Sequence, residues 1–205
     1  MSAAPHTLLL VCDLQERKRQ DIWEFDAMSS MISKMVRAAK QEWDTDKRAK
    51  ILEIATLTTE QNSKDDPKAL GTIEEVGQHL QQLEHNNLGI YKKNRLSMQT
   101  KGTRRGVDFQ KYDTFIVTGI ETALDLLRLE SKPTVFIPAD CISSGNKQEI
   151  PIALRRMERD GAVITTSESV LFELLGDADH PKFEALVDLI KGEAENTRKA
   201  LAALL

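Results

Sequence analysis

The sequence predicts a three-layer α/β protein, with a six-stranded parallel sheet between two layers of helices. Short apolar segments alternate with segments of helical periodicity along the whole chain. This alternation favours parallel strands joined by helical crossovers that cover both faces of the sheet. The chain has 205 residues, which is enough for one substantial α/β domain and short for two. We therefore expect a single domain over residues 1–205.

The strands are predicted from apolar runs that end at polar or turn residues. The six runs are residues 7–14, 51–58, 89–92, 113–120, 134–137 and 162–166. A polar stretch over 62–67 predicts a loop after the second run. Because ligands bind beyond the carboxyl ends of strands in open parallel sheets, the residues just after these runs are the first candidates for chemistry.

The helices are predicted from apolar stripes and end signals. The stripe that contains Met28, Ile32 and Met35 predicts a helix over 25–43. Further helices are predicted over 72–83, 123–129, 150–160 and 170–175, and from Lys182 onward. Gly161 is placed to end one of them and Pro181 to begin the last. The Ala/Leu-rich residues 193–205 predict a helical C-terminal tail.

Composition narrows the function classes. A net charge of −4 gives no electrostatic support to DNA or RNA as a partner. Two cysteines argue against a disulfide framework and favour a reducing compartment. The apolar run at residues 8–12 is too short to span a membrane. We expect a cytoplasmic protein without nucleic-acid or membrane partners.

Asp13 and the lysine pair Lys92 and Lys93 follow predicted strands. A carboxylate at the end of a buried strand is costly to desolvate unless it is paired, so Asp13 is a candidate acid or base. A lysine beside it would stabilise the ionised carboxylate and position a substrate. The alternatives are a helix or loop cap for Asp13 and solvated lysines at a strand exit.

Other chemistry-bearing residues give weaker signals. Cys12 is expected to be a small core residue whose side chain points away from that of Asp13, and Cys141 has no neighbouring base. The four histidines lack metal-ligand spacing, and no glycine-rich phosphate motif is present. The basic cluster at 101–105 is expected to be a solvated loop. The sequence therefore predicts no metal or cofactor.

The junction after the fourth predicted strand also bears on function. Gly119 and Ile120 lead into Glu121, Thr122 and, on the predicted helix, Asp125. A helix N-terminus at such a turn stabilises a thiolate or an oxyanion, yet the chain offers no Cys or Ser between Thr122 and Ser131. We take Glu121, Thr122 and Asp125 as candidate pocket or turn residues.

Six segments in order along the chain carry a resemblance to a known family. They are LLVCDLQ at 9–15, TEQ at 59–61, KNRLSM at 93–98, VTGIET at 117–122, ADCISS at 139–144 and TTSESVLFELLGDA at 165–178. Together they resemble the isochorismatase-like cysteine hydrolase superfamily, in its small single-domain branch. The resemblance implies a six-stranded parallel sheet and hydrolysis by an Asp, Lys and Cys triad.

The resemblance assigns the family Asp to Asp13 and the family Lys to Lys93 rather than Lys92. The family cysteine follows the Gly-Ile-Glu-Thr segment, but here Thr122 runs directly into Ala123. An alignment with a deletion removes the nucleophile, whereas an ungapped one puts Asp125 in its place. Eleven residues separate Thr122 from Thr134, close to the minimum of about ten to twelve for a parallel crossover. Strand four or its helix should therefore be short.

Two functions follow from this pattern. One is a weakly active or inactive family member with a binding or assembly role, as a homo-oligomer. The other is a working hydrolase of a small amide or related substrate, in which Asp13 activates water and Lys93 holds its charge. A third interpretation is a deletion particular to this sequence. Some relatives have been labelled ribonucleases, which the acidic balance and the lack of a catalytic histidine pair disfavour here.

Overall fold

A computed structural model describes residues 7–39, 41–44, 47–50, 54–62, 71–83 and 86–205. The strands of its main sheet are β1 (Thr7–Cys12), β4 (Ile54–Gln61), β5 (Asn87–Lys93), β6 (Thr114–Val117), β7 (Thr134–Pro138) and β8 (Val163–Thr165). All six are parallel, in the order β5-β4-β1-β6-β7-β8, so the predicted parallel α/β sheet is confirmed. Residues 51–53, at the start of the second predicted strand, lie outside the described range, as does most of the predicted loop over 62–67.

The described helices lie along both faces of this sheet. They are α1 (Phe25–Ala38), α2 (Glu74–Gln81), α3 (Lys101–Gly106), α4 (Ile120–Leu126), α5 (Glu149–Arg159), α6 (Ser167–Leu175), α7 (Phe183–Gly192) and α8 (Ala194–Leu204). Alternate residues of β1 belong to different cores. Leu9 and Val11 pack with α1, α2 and α6, whereas Leu8 and Leu10 pack with β6, β7 and α4. Because successive side chains of a strand point to opposite faces, β1 contributes residues to the apolar layers on both sides of the sheet.

Helix α1 ends at Ala38, five residues before the predicted end. Its apolar stripe stops at Ala39, and the polar residues that follow form an antiparallel hairpin of β2 (Gln41–Asp44) and β3 (Lys47–Lys50). The prediction of helix over 25–43 was wrong there, because it extended past the last residue of the stripe.

Two further boundaries differ from the prediction. Residues 101–105 belong to α3 and not to a loop, since Thr100 and Thr103 form a reciprocal capping box at its start. Helix α4 begins at Ile120, three residues before the predicted start, and has seven residues, while β6 has four. Both elements are short, as the eleven-residue connection requires.

The C-terminal helix α8 packs on α1. Its residues Ala200 and Leu204 are buried in the α1 core. Lys34 of α1 is fully buried, and its Nζ donates to Thr197 Oγ1 at 2.9 Å and to Glu168 Oε1 of α6 at 3.2 Å. Arg37 also pairs with Glu193 at the start of α8. The predicted tail is therefore part of the packed domain, held by a buried cation.

Replacing Glu168 with Ala should lower the free energy of unfolding by about 2 kcal/mol, because Lys34 stays buried without its carboxylate. This is below the loss of about 3–5 kcal/mol for a fully buried pair, since Glu168 is 31% exposed. The double variant K34M/E168A should recover to within about 1 kcal/mol of wild type. Urea unfolding measures both, with Glu173→Ala, an exposed glutamate of the same helix, as control. Equal stabilities of E168A and E173A would contradict the prediction.

Candidate active site

The candidate site lies where the strand order reverses. The chain runs from β1 outward through β4 to β5, then returns to the other side of β1 with β6 and continues to β7 and β8. The carboxyl ends of β1 and β6 therefore flank the switch point, where ligands bind in sheets of this type. Thr118 joins the two ends, since its Oγ1 accepts from Cys12 N at 3.1 Å and donates to Leu10 O at 3.2 Å.

Asp13 follows β1 in the left-handed backbone region, with φ of 50°. Its amide donates to Thr59 O at 3.0 Å, which extends the pairing of β1 with β4 by one residue. Thr59 Oγ1 donates to Asp13 Oδ1 at 3.0 Å. A non-glycine residue in this region is uncommon, although Asp tolerates it better than most. The conformation and the threonine hydroxyl together fix the direction of the carboxylate.

Lys93 is the last residue of β5 and is 3% exposed. Its Nζ lies 2.6 Å from Asp13 Oδ2. The same Nζ lies 3.1 Å from Gln61 Oε1 and 2.8 Å from each of the carbonyl oxygens of Arg95 and Leu96. An ammonium group has three protons, so four acceptors leave none of them free. Lys93 is thus a fixed counter-charge for Asp13.

Gln61 holds this lysine from the end of β4. Its backbone amide donates to Gln15 Oε1 at 2.9 Å, and its side-chain amide donates to Asn94 O at 3.1 Å. Gln61 was not among the predicted site residues. A signal was available, because Gln61 belongs to TEQ at 59–61, one of the six segments that carry the family resemblance. Lys92, the adjacent lysine, is exposed, so of the two candidate lysines only Lys93 meets Asp13.

A cavity of about 150 Å³ opens beside Asp13, and we call it the Asp13 cavity. Its polar lining includes Asp13, Lys18, Thr118 and Ser143. The apolar lining comes largely from the segment that enters α1 and from α1 itself. Ser143 Oγ donates to the Trp23 carbonyl oxygen, and Lys18 ends a short 3-10 helix, Glu16–Lys18. Neither Lys18 nor Ser143 was predicted, because nothing local in the sequence shows that they reach the cavity.

Cys12 is partly buried and also lines the Asp13 cavity, but its thiol contacts the opposite apolar layer, as predicted for a small core residue. Its Sγ lies 2.9 Å from Met98 Sδ and 3.7 Å from Thr122 Oγ1. Burial raises the pKa of the Cys12 thiol from 9.0 to about 12. The Asp13 charge adds to the rise, while the Thr122 hydrogen bond and Lys93 oppose it. The thiol is therefore protonated at neutral pH.

The predicted turn residues lie on α4 and do not line the Asp13 cavity. Thr122 is buried, and its Oγ1 accepts from Met98 N at 3.0 Å. Glu121 is exposed, and Asp125 lies 3.5 Å from Arg128 one helical turn on. The structure thus brings Asp13 and Lys93 together but leaves Glu121, Thr122 and Asp125 outside the pair. Thr122 stabilises the turn, because its Oγ1 already accepts the hydrogen bond from Met98 N.

Comparison with known proteins decides the family. The model of the isochorismatase domain matches residues 7–169, which is most of the chain. The chain belongs to the isochorismatase domain family. Isochorismatase domain-containing protein 2 of Xenopus laevis is 34% identical over 200 residues, which cover 93% of this chain and 86% of that protein. The resemblance drawn from the six segments is confirmed.

Solved structures of isochorismatase-like proteins share the fold. A structure described as the MAR1 ribonuclease of Caenorhabditis elegans is 29% identical with a TM-score of 0.71, and the match covers 92% of this chain and 91% of that one. The YcaC gene product of Escherichia coli, described as an octameric hydrolase of unknown specificity, is 15% identical with a TM-score of 0.73. That match covers 96% of this chain and 92% of that one, and it shows the fold alone.

The second cysteine of this isochorismatase domain is part of the core. Cys141 is fully buried after β7, and burial raises the pKa of its thiol well above 9.0, with the Asp140 charge adding to the rise. Asp140 itself accepts from Ser167 N at 2.8 Å and from Ser167 Oγ at 2.6 Å. These contacts tie the end of β7 to the start of α6. The burial of Cys141 and the hydrogen bonds of Asp140 therefore give both residues a role in packing the end of β7 against α6.

The described residues contain neither a candidate metal site nor a helix that could span a membrane. No group of three or more His, Cys, Asp or Glu side chains among them is placed to hold a metal ion, and His6 and His85 lie outside that range. Among the described helices, none has both the length and the apolar character needed to cross a membrane.

Gly119, at the start of α4, lies against Cys12. A Cβ at position 119 would lie 2.6 Å from Cys12 Sγ and 2.8 Å from Cys12 Cβ. Gly119→Ala should therefore destabilise the protein by about 1–3 kcal/mol through overpacking. Its backbone is extended, with φ of −158°, so the cost is steric and not conformational. Thermal or urea unfolding tests this.

Gly102→Ala is the matched control for Gly119→Ala. A Cβ at position 102, on the exposed side of α3, would meet Thr100 Oγ1 at an ordinary 3.5 Å. Alanine is favoured over glycine within helices, so this variant should be neutral or slightly stabilising. A Gly119→Ala protein as stable as the Gly102→Ala protein would show that α4 can move away from β1.

Proposed function

We propose that this isochorismatase-like protein binds a small molecule at the Asp13 cavity and has lost the covalent step of the family. One observation carries the proposal: the thiol next to Asp13 is packed against Met98 and Thr122, and its pKa is raised to about 12. The family resemblance assigns nucleophilic attack to a cysteine on the turn that begins α4. Here that turn presents Glu121 and a buried Thr122.

The retained Asp13 and Lys93 pair supports a binding role for the cavity. A buried lysine and a carboxylate 2.6 Å apart at a sheet edge are costly to desolvate, and hydrophobic residues of similar size are often as stable. Such a pair is better explained by a ligand than by packing. The size of the cavity also favours a small molecule over RNA, because its volume is about 150 Å³.

Slow hydrolysis by water is the second candidate function. Asp13 lines the cavity, and its carboxylate is oriented by Thr59 and Lys93. A carboxylate placed in this way can act as general base for a water that attacks an amide or ester. Loss of a covalent nucleophile usually costs several orders of magnitude in rate, so turnover should be low. Lys93 would supply charge and not a proton, because its donors are occupied.

Alkylation of Cys12 tests the loss of the covalent step. A Cys141→Ala protein carries Cys12 as its one thiol, so intact mass reports on that residue alone. With a thiol pKa of about 12 instead of 9.0, iodoacetamide at pH 8 should react about a thousandfold more slowly with native than with urea-unfolded protein. Similar rates in the two states, or an acyl adduct on Cys12 after incubation with an ester, would refute the proposal.

A screen of small amides and esters separates binding from slow hydrolysis. If water attacks with Asp13 as base, Asp13→Asn should abolish turnover and Cys12→Ala should leave it unchanged. If the protein only binds, neither variant alters a rate indistinguishable from that of buffer. Turnover that Cys12→Ala removes would show that the thiol reacts after all.

We also propose that the protein is a cytoplasmic homo-oligomer. Both cysteines are free, which supports a reducing compartment. Ile90 on the edge strand β5 is 48% exposed and Leu96 beyond it is 68% exposed, which supports burial of this edge against another copy. Sedimentation velocity of wild type and Ile90→Glu tests the assembly. A monomeric wild type would contradict it.

A further inference from the structure

The charges around the Asp13 cavity do not balance. Of the ten residues that line it, two are charged, Asp13 and Lys18. Asp13 already has a counter-charge in Lys93, 2.6 Å away. The three groups therefore sum to one positive charge. Charge in a partly enclosed site is costly unless it is compensated, so a ligand that carries one negative charge would balance it.

Lys18 is the group without a partner. It is half-buried at the end of the 3-10 helix, and it makes no ion pair or hydrogen bond through its side chain with any described residue. Its neighbours in sequence differ in this respect. Arg17 donates to Gln61 O at 2.9 Å, and Arg19 pairs with Glu16, Asp26 and Glu75. Among these three cations, Lys18 alone lines the cavity and keeps its donors free.

The rest of the lining selects an apolar body. Ile22, Phe25, Met28 and Ile32 form one wall, and Leu14 lies beside Asp13. Phe25, Met28 and Ile32 belong to the buried core of α1, so this wall is fixed before any ligand arrives. A closed apolar cavity of about 150 Å³ holds benzene, and the Asp13 cavity has the same volume but is partly open and has a mixed polar and apolar lining. The part of a ligand that lies inside it is therefore short, apolar at one end and anionic at the other.

We propose that the Asp13 cavity binds a small monocarboxylate with a compact branched or aromatic body, and that Lys18 recognises its carboxylate. The apolar body packs against the α1 wall, and the hydroxyl protons of Ser143 and Thr118 stay on the carbonyl oxygens of Trp23 and Leu10, which leaves Lys18 as the donor for the carboxylate. This inference rests on the proposed binding role of the cavity and names its ligand class. An alternative arrangement, in which Lys18 contributes only its methylene stem and extends the ammonium into water, predicts no preference for an anion.

Two isosteric probes, isovalerate and isovaleramide, test the inference. They have the same number of non-hydrogen atoms and differ in charge. Binding is followed by NMR on protein labelled at the methyl groups of methionine and isoleucine, so that Met28, Ile22 and Ile32 report from the cavity wall. Isovalerate should bind at least about tenfold more tightly than isovaleramide, the ratio that one charge-assisted hydrogen bond provides.

The variants Lys18→Gln and Lys18→Arg assign the preference to Lys18. The glutamine variant should bind both probes with equal, weak affinity, while the arginine variant should keep the preference for isovalerate. Lys147→Gln removes an exposed lysine that does not line the cavity and should leave the ratio unchanged. A preference that survives in Lys18→Gln, or that Lys147→Gln also removes, overturns the role of Lys18.

The failure of this inference is distinguishable from failure of the proposed function. Equal binding of both probes at the wall methyls would refute the carboxylate preference and leave the binding role intact. Tighter binding of the amide would do the same. If neither probe shifts these methyls at millimolar concentration, the ligand class is wrong, and the loss of the covalent step still stands or falls on the reactivity of Cys12.

Discussion

Replacing Lys93 with Met should lower the free energy of unfolding by about 3–5 kcal/mol, the range for removing one partner of a buried ion pair. The Asp13 carboxylate would lose its counter-charge, and the carbonyl oxygens of Arg95 and Leu96 would lose their donor. The Asp13 side chain is 23% exposed and can be partly hydrated in the variant, which favours the lower end of the range. Urea unfolding monitored by circular dichroism measures the change.

Lys92→Met is a matched control for this variant. It makes the same substitution one residue earlier, at an exposed position on the same strand, and should change stability by less than about 0.5 kcal/mol. A double-mutant cycle with Asp13→Asn then isolates the pair, and a coupling energy of about 1–3 kcal/mol is expected for groups in direct contact. Equal losses for the two lysine variants would mean that the Asp13 and Lys93 contact adds no stability.

Alkaline pH should destabilise the protein through Cys12. The thiol loses its proton near pH 9 in the unfolded chain and near pH 12 in the folded one. Between these values the unfolded state binds fewer protons than the folded state, so stability falls as pH rises. The stabilisation is complete below about pH 9 and is lost progressively up to about pH 12. The maximal slope is about 1.4 kcal/mol per pH unit for one group.

Cys12→Ala should flatten this dependence. Because the thiol of Cys141 also has a raised pKa, both proteins are compared in a Cys141→Ala background. From pH 9 to pH 11 the protein that keeps Cys12 should lose about 2 kcal/mol more stability than the protein that carries Cys12→Ala. Guanidinium unfolding at half-unit pH steps gives the two curves. Parallel curves would mean that Cys12 is hydrated in the folded state.

Much of the fold followed from local patterns in the sequence. The apolar run of β1 ends in a carboxylate, which marked Asp13, and the placement of the strands was correct to within a few residues. The choice of Lys93 over Lys92 needed the family resemblance, because two adjacent lysines on a strand exit carry the same local signal. Neighbours on a strand point to opposite faces, and only the three-dimensional arrangement decides which one meets Asp13.

Contacts between residues that lie far apart along the chain could not be predicted from the sequence. Cys12 meets Met98 across 86 positions, and Gln61 meets Lys93 across 32. The same is true of the cavity, since Lys18 and Ser143 belong to segments with no shared pattern. The end of α1 was missed for a different reason: the predicted helix extended past Ala39, the last residue of the apolar stripe, into residues that pair with one another as a hairpin.

The left-handed backbone conformation at Asp13 has a cost in stability. At φ of 50°, glycine would relieve the conformation, and it would also avoid the cost of placing a carboxylate at a sheet edge. A chain selected only for thermodynamic stability would gain from a glycine here with an apolar residue in place of the lysine. The chain instead has a carboxylate in a backbone conformation that non-glycine residues seldom adopt. Such a cost at position 13 is what we expect if, as proposed above, Asp13 serves a ligand in the cavity.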